Sequence, residues 1–198
     1  MTEKEKMLRY ELFDAGFDRE LEEARLRAKE LCYDFNALRP SDFDGQTALL
    51  RRLIGKTSKR FRITAPFWCD YGFNIELGEG FYANHGLIIL DGAKVSFGAH
   101  VLVGPNCGFH TAGHPLDAVR RNRGLEYSWP ITVGDNVWFG ACVQVLPGVT
   151  IGDNSIIGAG SVVNRDIPAN CIAAGVPCRV LRELTEDDLT REYHWEAR

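Results

Sequence analysis

The stretch VGDNVWFGACVQVLPGVTIGDNSIIGAGSVV, residues 133–163, decides the fold. Val133, Phe139, Val145, Ile151, Ile157 and Val163 recur at every sixth position. Gly134, Gly140, Gly152 and Gly158 directly follow four of them. A second series of small or apolar residues, Val137, Val143, Val149, Ser155 and Ser161, begins four residues after Val133 and keeps the same period. A period of six is neither that of a helix nor that of a lone strand; it is the signature of one short strand plus a turn. Three such units close a triangular coil of about 18 residues, and coils stack about 4.8 Å apart as parallel strands. The apolar residue fills the prism. The glycine, aspartate and asparagine of Gly134-Asp-Asn136 and Gly152-Asp-Asn154 supply turns, often with positive φ.

Upstream, Phe97, Val103 and Phe109 repeat the pattern, Leu77-Gly78 is an earlier member, and the phase slips near residue 90. The chain is therefore expected to be mainly β, with a parallel β-helix over residues 58–182. Its hand is not legible in the period, and the general rule for parallel crossovers favours a right-handed one.

The flanks differ. Residues 1–57 read as a helical region: Asp18 is a candidate cap for a helix carrying Leu21, Ala24, Ala28, Leu31 and Cys32 on one face. Pro40 and Gly45 punctuate it before a short amphipathic piece from Asp44 to Ile54. Residues 183–198 are expected to start a C-terminal helix at Thr185-Glu-Asp-Asp188, a capping-box pattern, and to cover the open end of the prism.

Composition narrows the classes. The chain has 198 residues, 45% hydrophobic and 25% charged, with a formal net charge of -4. An acidic balance argues against nucleic acid as the main partner. No apolar run is long enough to span a membrane. The charged start MTEKEKMLRY does not resemble an export signal, so a cytoplasmic protein is expected. None of the six cysteines forms a CxxC pair, which points to reduced thiols rather than a structural zinc site.

The ladder breaks at FHTAGHPLD, residues 109–117, and resumes near Ile131. A loop of this length in a compact domain is usually functional or disordered. Because it holds Leu116, Val119, Leu125, Tyr127 and Trp129, it is expected to be ordered by packing, with a second subunit as one candidate surface. On spacing alone, His114 reads first as a solvated loop histidine, since exposed histidines are common.

The runs FYANHGLIILD (81–91), TAGHPLD (111–117), GLEYSWPITVGDNVWFGA (124–141), PGVTIGDNSIIGAGSVV (147–163) and AAGVPCRVLREL (173–184) carry a resemblance. So do MLRYELFDA (7–15) and RLRAKELCYDFN (25–36). Together they are similar to the maltose/galactoside O-acetyltransferases, a branch of the hexapeptide-repeat acyltransferases. The resemblance implies a left-handed β-helix, a homotrimer with active sites between subunits, acetyl-CoA as donor and a sugar hydroxyl as acceptor. It implies His114 as the general base, for which an imidazole is suited near neutral pH. Pro115 restricts the backbone of His114 and could help aim its ring.

Glu126 is the candidate to orient that ring, with a plain surface carboxylate as the alternative. Asn84 is the candidate partner of the acceptor hydroxyl or the oxyanion. Asp14, Asp70 and Asp91 are candidate sugar contacts, since a carboxylate accepts two hydrogen bonds; Asp14 reads equally as a charge at a helix terminus. Gly92 stands where some galactoside enzymes carry an acid, which weakens a galactoside assignment. His85 is an open case, His110 is expected to pack or hydrogen-bond, and His100 and His194 carry no signal.

For the donor, Gly140, Ala141, Gly158, Ala159 and Gly160 would let pantetheine lie close to backbone amides in a groove between prisms. An amide near Ala141 is a candidate oxyanion donor. Trp138 would pack on the arm, or serve as an interface aromatic. Arg165 and Arg182, with Arg179 nearby, would meet the 3′-phosphate, or form a solvated charged face. Direct transfer is expected, because Cys107 and Cys142 lack a partner that would activate a thiol. Two rival readings remain: a metal enzyme like the gamma-class carbonic anhydrases, using His85, His110 and His114, and a non-catalytic scaffold.

Overall fold

In the computed structural model, residues 1–193 are described, and their hexads fold into a three-faced parallel solenoid. Face I stacks Phe67–Cys69, Leu87–Leu90, Gly108–His110, Gln144–Val145 and Val162–Val163. Face II stacks Lys56–Thr57, Ile75–Leu77, Val95–Phe97, Ile131–Val133 and Thr150–Ile151. Face III runs from Phe61–Ile63 through Phe81–Ala83, Leu102–Val103, Trp138–Phe139 and Ile156–Ile157 to Cys171–Ala174.

All six hexad residues from Val133 to Val163 are buried. A column of rings runs through the prism: Phe81, Phe97, Phe109 and Phe139 follow one another at centroid distances of 4.9, 4.8 and 5.2 Å. The last two contacts are edge-to-face, the arrangement that ring quadrupoles favour.

The turns show which residue takes the left-handed conformation. In both Gly-Asp-Asn turns it is the asparagine, at φ 57° for Asn136 and 58° for Asn154. Their amides also form a ladder: Asn136 donates to Asn154 at 3.0 Å, and Asn154 to Asn170 at 2.8 Å. The glycine serves close approach instead. A Cβ on Gly104 would stand 2.7 Å from the backbone carbon of Gly140, so the coils can stack at this corner only without side chains.

The N-terminal region holds helices α1 (Glu3–Leu8), α2 (Arg19–Ala37) and α3 (Phe43–Leu53). Asp18 caps α2 by accepting from the Leu21 N–H at 2.9 Å. The buried stripe Ala28, Cys32 and Phe35 of α2, with Leu50 and Leu53 of α3, joins the prism core. Residues 1–57 are not wholly helical, because Phe13–Asp14 forms a short strand and Lys56–Thr57 already belongs to face II.

That short strand explains the excursion. Leu125–Ser128 pairs antiparallel with Ala112–Gly113 on one side and with Phe13–Asp14 on the other. The loop, which also carries α4 (Ala118–Asn122), is thus ordered against its own chain's N-terminal arm.

The far end departs from expectation. Arg179–Glu183 turns back antiparallel on Cys171–Ala174 and closes the prism, so a boundary at 182 cuts a strand. Helix α5 (Glu186–Thr190) has five residues and buries none of them. Residues 191–193 are not helical, and His194 and the residues after it lie outside the described residues. No helix among the described residues is long and apolar enough to cross a membrane.

Candidate active site

The corner where face I meets face II is where strand ends deliver Asp70, Asp91 and Thr111, one coil above another. Asp91 is fully buried. One carboxylate oxygen accepts from the N–H groups of Tyr71 (2.8 Å) and Asp70 (3.1 Å), the other from Asn74 (3.3 Å). Burial pushes its carboxyl up to about 7 against those bonds. Asp91 therefore anchors the turn, and its expected sugar contact is corrected: the carboxylate is out of a ligand's reach in this structure. Gly92 is equally constrained. A Cβ there would stand 2.3 Å from Ser128 Oγ, so any side chain at this position would require the Ser128 hydroxyl to turn away.

Asp70 is half-buried, and burial raises its carboxyl, with the charges of Arg25, Lys29 and His110 pulling the other way. Arg25 projects from α2 and donates to Tyr71 Oη (2.7 Å) and the Ala15 carbonyl (2.6 Å). Burial pushes the Tyr71 hydroxyl up to about 12. Asp14 also faces this corner through its strand, but one oxygen is committed to its own turn, accepting from the Gly16 and Phe17 N–H groups.

His114 is placed by the excursion hairpin. A Cβ on Gly113 would stand 2.4 Å from the end of the Tyr127 ring, so the ring packs directly over the glycine. Pro115 is buried and the His114 ring is half-exposed. Its Nδ1 lies 3.2 Å from the Leu125 carbonyl. A carbonyl only accepts, so Nδ1 carries the hydrogen and Nε2 presents a lone pair. Glu126 Oε1 lies 3.8 Å from Nε2, longer than a hydrogen bond. Nδ1 is thus held by a backbone carbonyl and not by Glu126, which stands on the Nε2 side of the ring. Burial raises its carboxyl, the nearby His114 lowers it, and Asp70 raises it further.

The corner where face III meets face I carries the other group. Asn84, Gly104, Gly140 and Gly158 stack down it, the Gly140 N–H donating to Ile157 and the Gly158 N–H to Ala173, both at 2.8 Å. Ala141, Ala159 and Gly160 follow at the same edge, with Gly160 donating to the Ala141 carbonyl at 2.8 Å. Trp138 is 53% exposed on face III beside Leu102 and Ile156. Arg165 is exposed. Arg179 donates to Asn164 and to the Cys178 carbonyl. Arg182 is paired through both guanidinium nitrogens with Asp188, 2.7 Å for the Nη2 bond. Asn84 accepts from the His85 N–H at 2.7 Å and has no bond to the His114 group.

The two groups are separated by the width of face I. The seven residues from Asn84 to Asp91 would span roughly 20 Å if extended. His110 lies on that face, its Nε2 bonded to Gln144 Oε1 at 2.7 Å. No group of three His, Cys, Asp or Glu among the described residues is arranged to hold a metal ion.

Sequence reasoning missed Arg25 and Tyr71. The available signal for Arg25 was a cation on the apolar stripe of α2, four residues after Leu21. Tyr71 carried no comparable signal.

A triangular prism with a histidine on an extruded hairpin and a corner of stacked small residues defines a hexapeptide-repeat acyltransferase. Residues 130–165 match the bacterial transferase hexapeptide family (six repeats), and residues 6–58 match the maltose acetyltransferase hexapeptide capping motif. A maltose O-acetyltransferase of Clostridium difficile 630 is 45% identical, with a TM-score of 0.91 over 94% of this chain and 99% of its own. A galactoside acetyltransferase solved with coenzyme A is 42% identical, with a TM-score of 0.91 over 99% of this chain and 96% of its own. A hexapeptide-repeat acetyltransferase of Vibrio cholerae, solved with acetyl-CoA, is 39% identical, with a TM-score of 0.85 over 94% and 100%.

The chain belongs to the maltose/galactoside acetyltransferase family of hexapeptide-repeat acyltransferases. Its solenoid is the left-handed β-helix of that class.

Proposed function

We propose that the protein moves the acetyl group of acetyl-CoA directly to a hydroxyl of a sugar, with His114 as general base. One observation carries this reading. The imidazole is held in the tautomer that leaves Nε2 free, and that nitrogen faces a corner lined by Asp70 and Glu126. The acceptor oxygen attacks the thioester carbonyl carbon while Nε2 takes its proton. The resulting oxyanion is met by Asn84 and the Ala141 N–H; such a donor is worth about 2.7–4 kcal/mol where it has been removed. The C–S bond then breaks, and the imidazolium returns its proton to the departing thiolate. Direct transfer requires no acyl-enzyme, and Cys107 is poorly suited to form one because it is buried and burial raises its thiol.

The separation of the two corners supports a shared site. In this reading a neighbouring copy brings its Asn84 and small-residue corner to the His114 of the first, and threefold closure yields a homotrimer. Asp14, Asp70 and Arg25 would hold the sugar. Gly140, Ala141, Ala159 and Gly160 would line the pantetheine arm, Trp138 would pack on it, and Arg165, Arg179 and Arg182 would meet the 3′-phosphate. The cytoplasm, where acetyl-CoA and free thiols coexist, suits the chain's six unpaired cysteines.

Thiol release from acetyl-CoA with a panel of maltose, glucose, galactosides and other alcohols, read by mass spectrometry of the products, tests the reaction. An acetylated sugar supports it, and no turnover with any hydroxyl acceptor favours a scaffold. For the phosphate, Arg182 must be released by Asp188, whereas exposed Arg165 has no such partner among the described residues. Arg165→Ala is therefore expected to weaken CoA about fivefold or more while leaving dephospho-CoA within about twofold, by titration calorimetry. Equal losses for both ligands would remove the phosphate role.

A further inference from the structure

Glu126 stands on the Nε2 side of the base, and His114 is its one ion-pair neighbour among the described residues. Its side chain is 27% exposed, yet no hydrogen bond reaches its carboxylate among the described residues. Arg25, whose charge lowers the Glu126 carboxyl, is committed to Tyr71 and Ala15. The charge of Asp70 repels it. Strand pairing on both sides of Leu125–Ser128 fixes its position: Glu126 is opposite Phe13, and Tyr127 opposite Gly113.

With the ring neutral, as a base must be before it takes a proton, Glu126 Oε1 and His114 Nε2 confront each other across 3.8 Å as two acceptors with no hydrogen between them. A lone hydroxyl has one hydrogen and can satisfy only one of them. Two donors about 3 Å apart, as on neighbouring carbons of a sugar, can satisfy both within ordinary hydrogen-bond lengths.

We propose that Glu126 is a specificity-determining residue: it accepts a hydrogen bond from a second donor beside the reacting hydroxyl, and so selects polyols or amino alcohols over isolated alcohols. This rests on the reading of His114 as base. An acceptor lacking the second donor leaves a half-buried carboxylate unpaired, and a site built to hydrogen-bond a group rejects the analogue without it.

The test uses the full-length protein and its best sugar acceptor, each monodeoxy analogue of that sugar, and the amino analogue at the sensitive position. In the wild type, one monodeoxy analogue is expected to lose about 10–100-fold in kcat/KM, the range of a hydrogen bond to a charged group. In Glu126→Ala that penalty should shrink to about threefold or less, because the contact is already gone. Glu126→Gln, which keeps an accepting oxygen, should retain part of it and guards against a folding defect in the alanine variant. The amino analogue separates the two donor classes: turnover near the parent's shows that an amine serves as well as a hydroxyl, and a loss like the deoxy analogue's restricts the selection to polyols.

The proposal is overturned if no analogue is penalised, if the penalty persists in Glu126→Ala, or if parent and analogue fall by the same factor, as a merely electrostatic role would give. Failure of the base assignment reads differently, as full activity in His114→Ala.

Discussion

Replacing His114 by alanine is expected to lower acetyl transfer by about 10²–10⁴-fold, the usual contribution of a general base. The dissociation constant for CoA should stay within about twofold of wild type. The split follows from the geometry. The ring sits on the excursion hairpin at one corner of the prism, and its Nδ1 is tied to the Leu125 carbonyl. The residues assigned to the coenzyme sit at another corner, so removing the ring leaves their stacking untouched. Steady-state rates with saturating acetyl-CoA, beside calorimetric titration of CoA, read the two quantities separately. A variant that turns over at the wild-type rate would refute the assignment; loss of CoA affinity in proportion to rate would point to a damaged fold instead.

Phe109→Ala is expected to destabilise the protein by about 3–5 kcal/mol, the range for emptying a large aromatic site in a packed core. Phe109 is fully buried in the middle of the ring column, edge-on to Phe97 at 4.8 Å and to Phe139 at 5.2 Å. The coils stack through backbone hydrogen bonds and cannot collapse into the space without breaking register. The loss should be near zero for Ile88→Ala, which is 40% exposed on the outer side of the same face. Equilibrium denaturation in urea of both variants makes the comparison. A Phe109→Ala loss under about 1 kcal/mol would mean that the ring column does not hold the prism together.

The prism was legible because its period is a property of single residues: each sixth residue from Val133 to Val163 points inward and is buried. The Gly-Asp-Asn turns were legible for a similar reason, since few residues tolerate the left-handed conformation, but which of the three residues adopts it was not. The histidine stood out because it interrupted the repeat. What stayed hidden depends on partners distant in sequence. The acceptor that orients His114 is a backbone carbonyl, which every residue owns and no motif marks. Arg25 reaches Tyr71, 46 positions away. The pairing of Phe13–Asp14 with the excursion joins two-residue and four-residue strands, too short for any periodicity. Asp91 misled for a different reason: a carboxylate suits a buried cluster of backbone N–H groups as well as it suits a sugar.

The central claim is that one catalytic centre is assembled from the His114 corner of one copy and the Asn84 corner of another. Mixing two variants, His114→Ala and Asn84→Ala, under conditions that exchange subunits tests it most directly. Each alone should be nearly inactive. In a mixture at equal ratio, one interface in four would combine an intact His114 with an intact Asn84, so activity should return to roughly a quarter of wild type. If mixed oligomers form, verified by native mass spectrometry, and the mixture stays as inactive as its components, the shared site is contradicted.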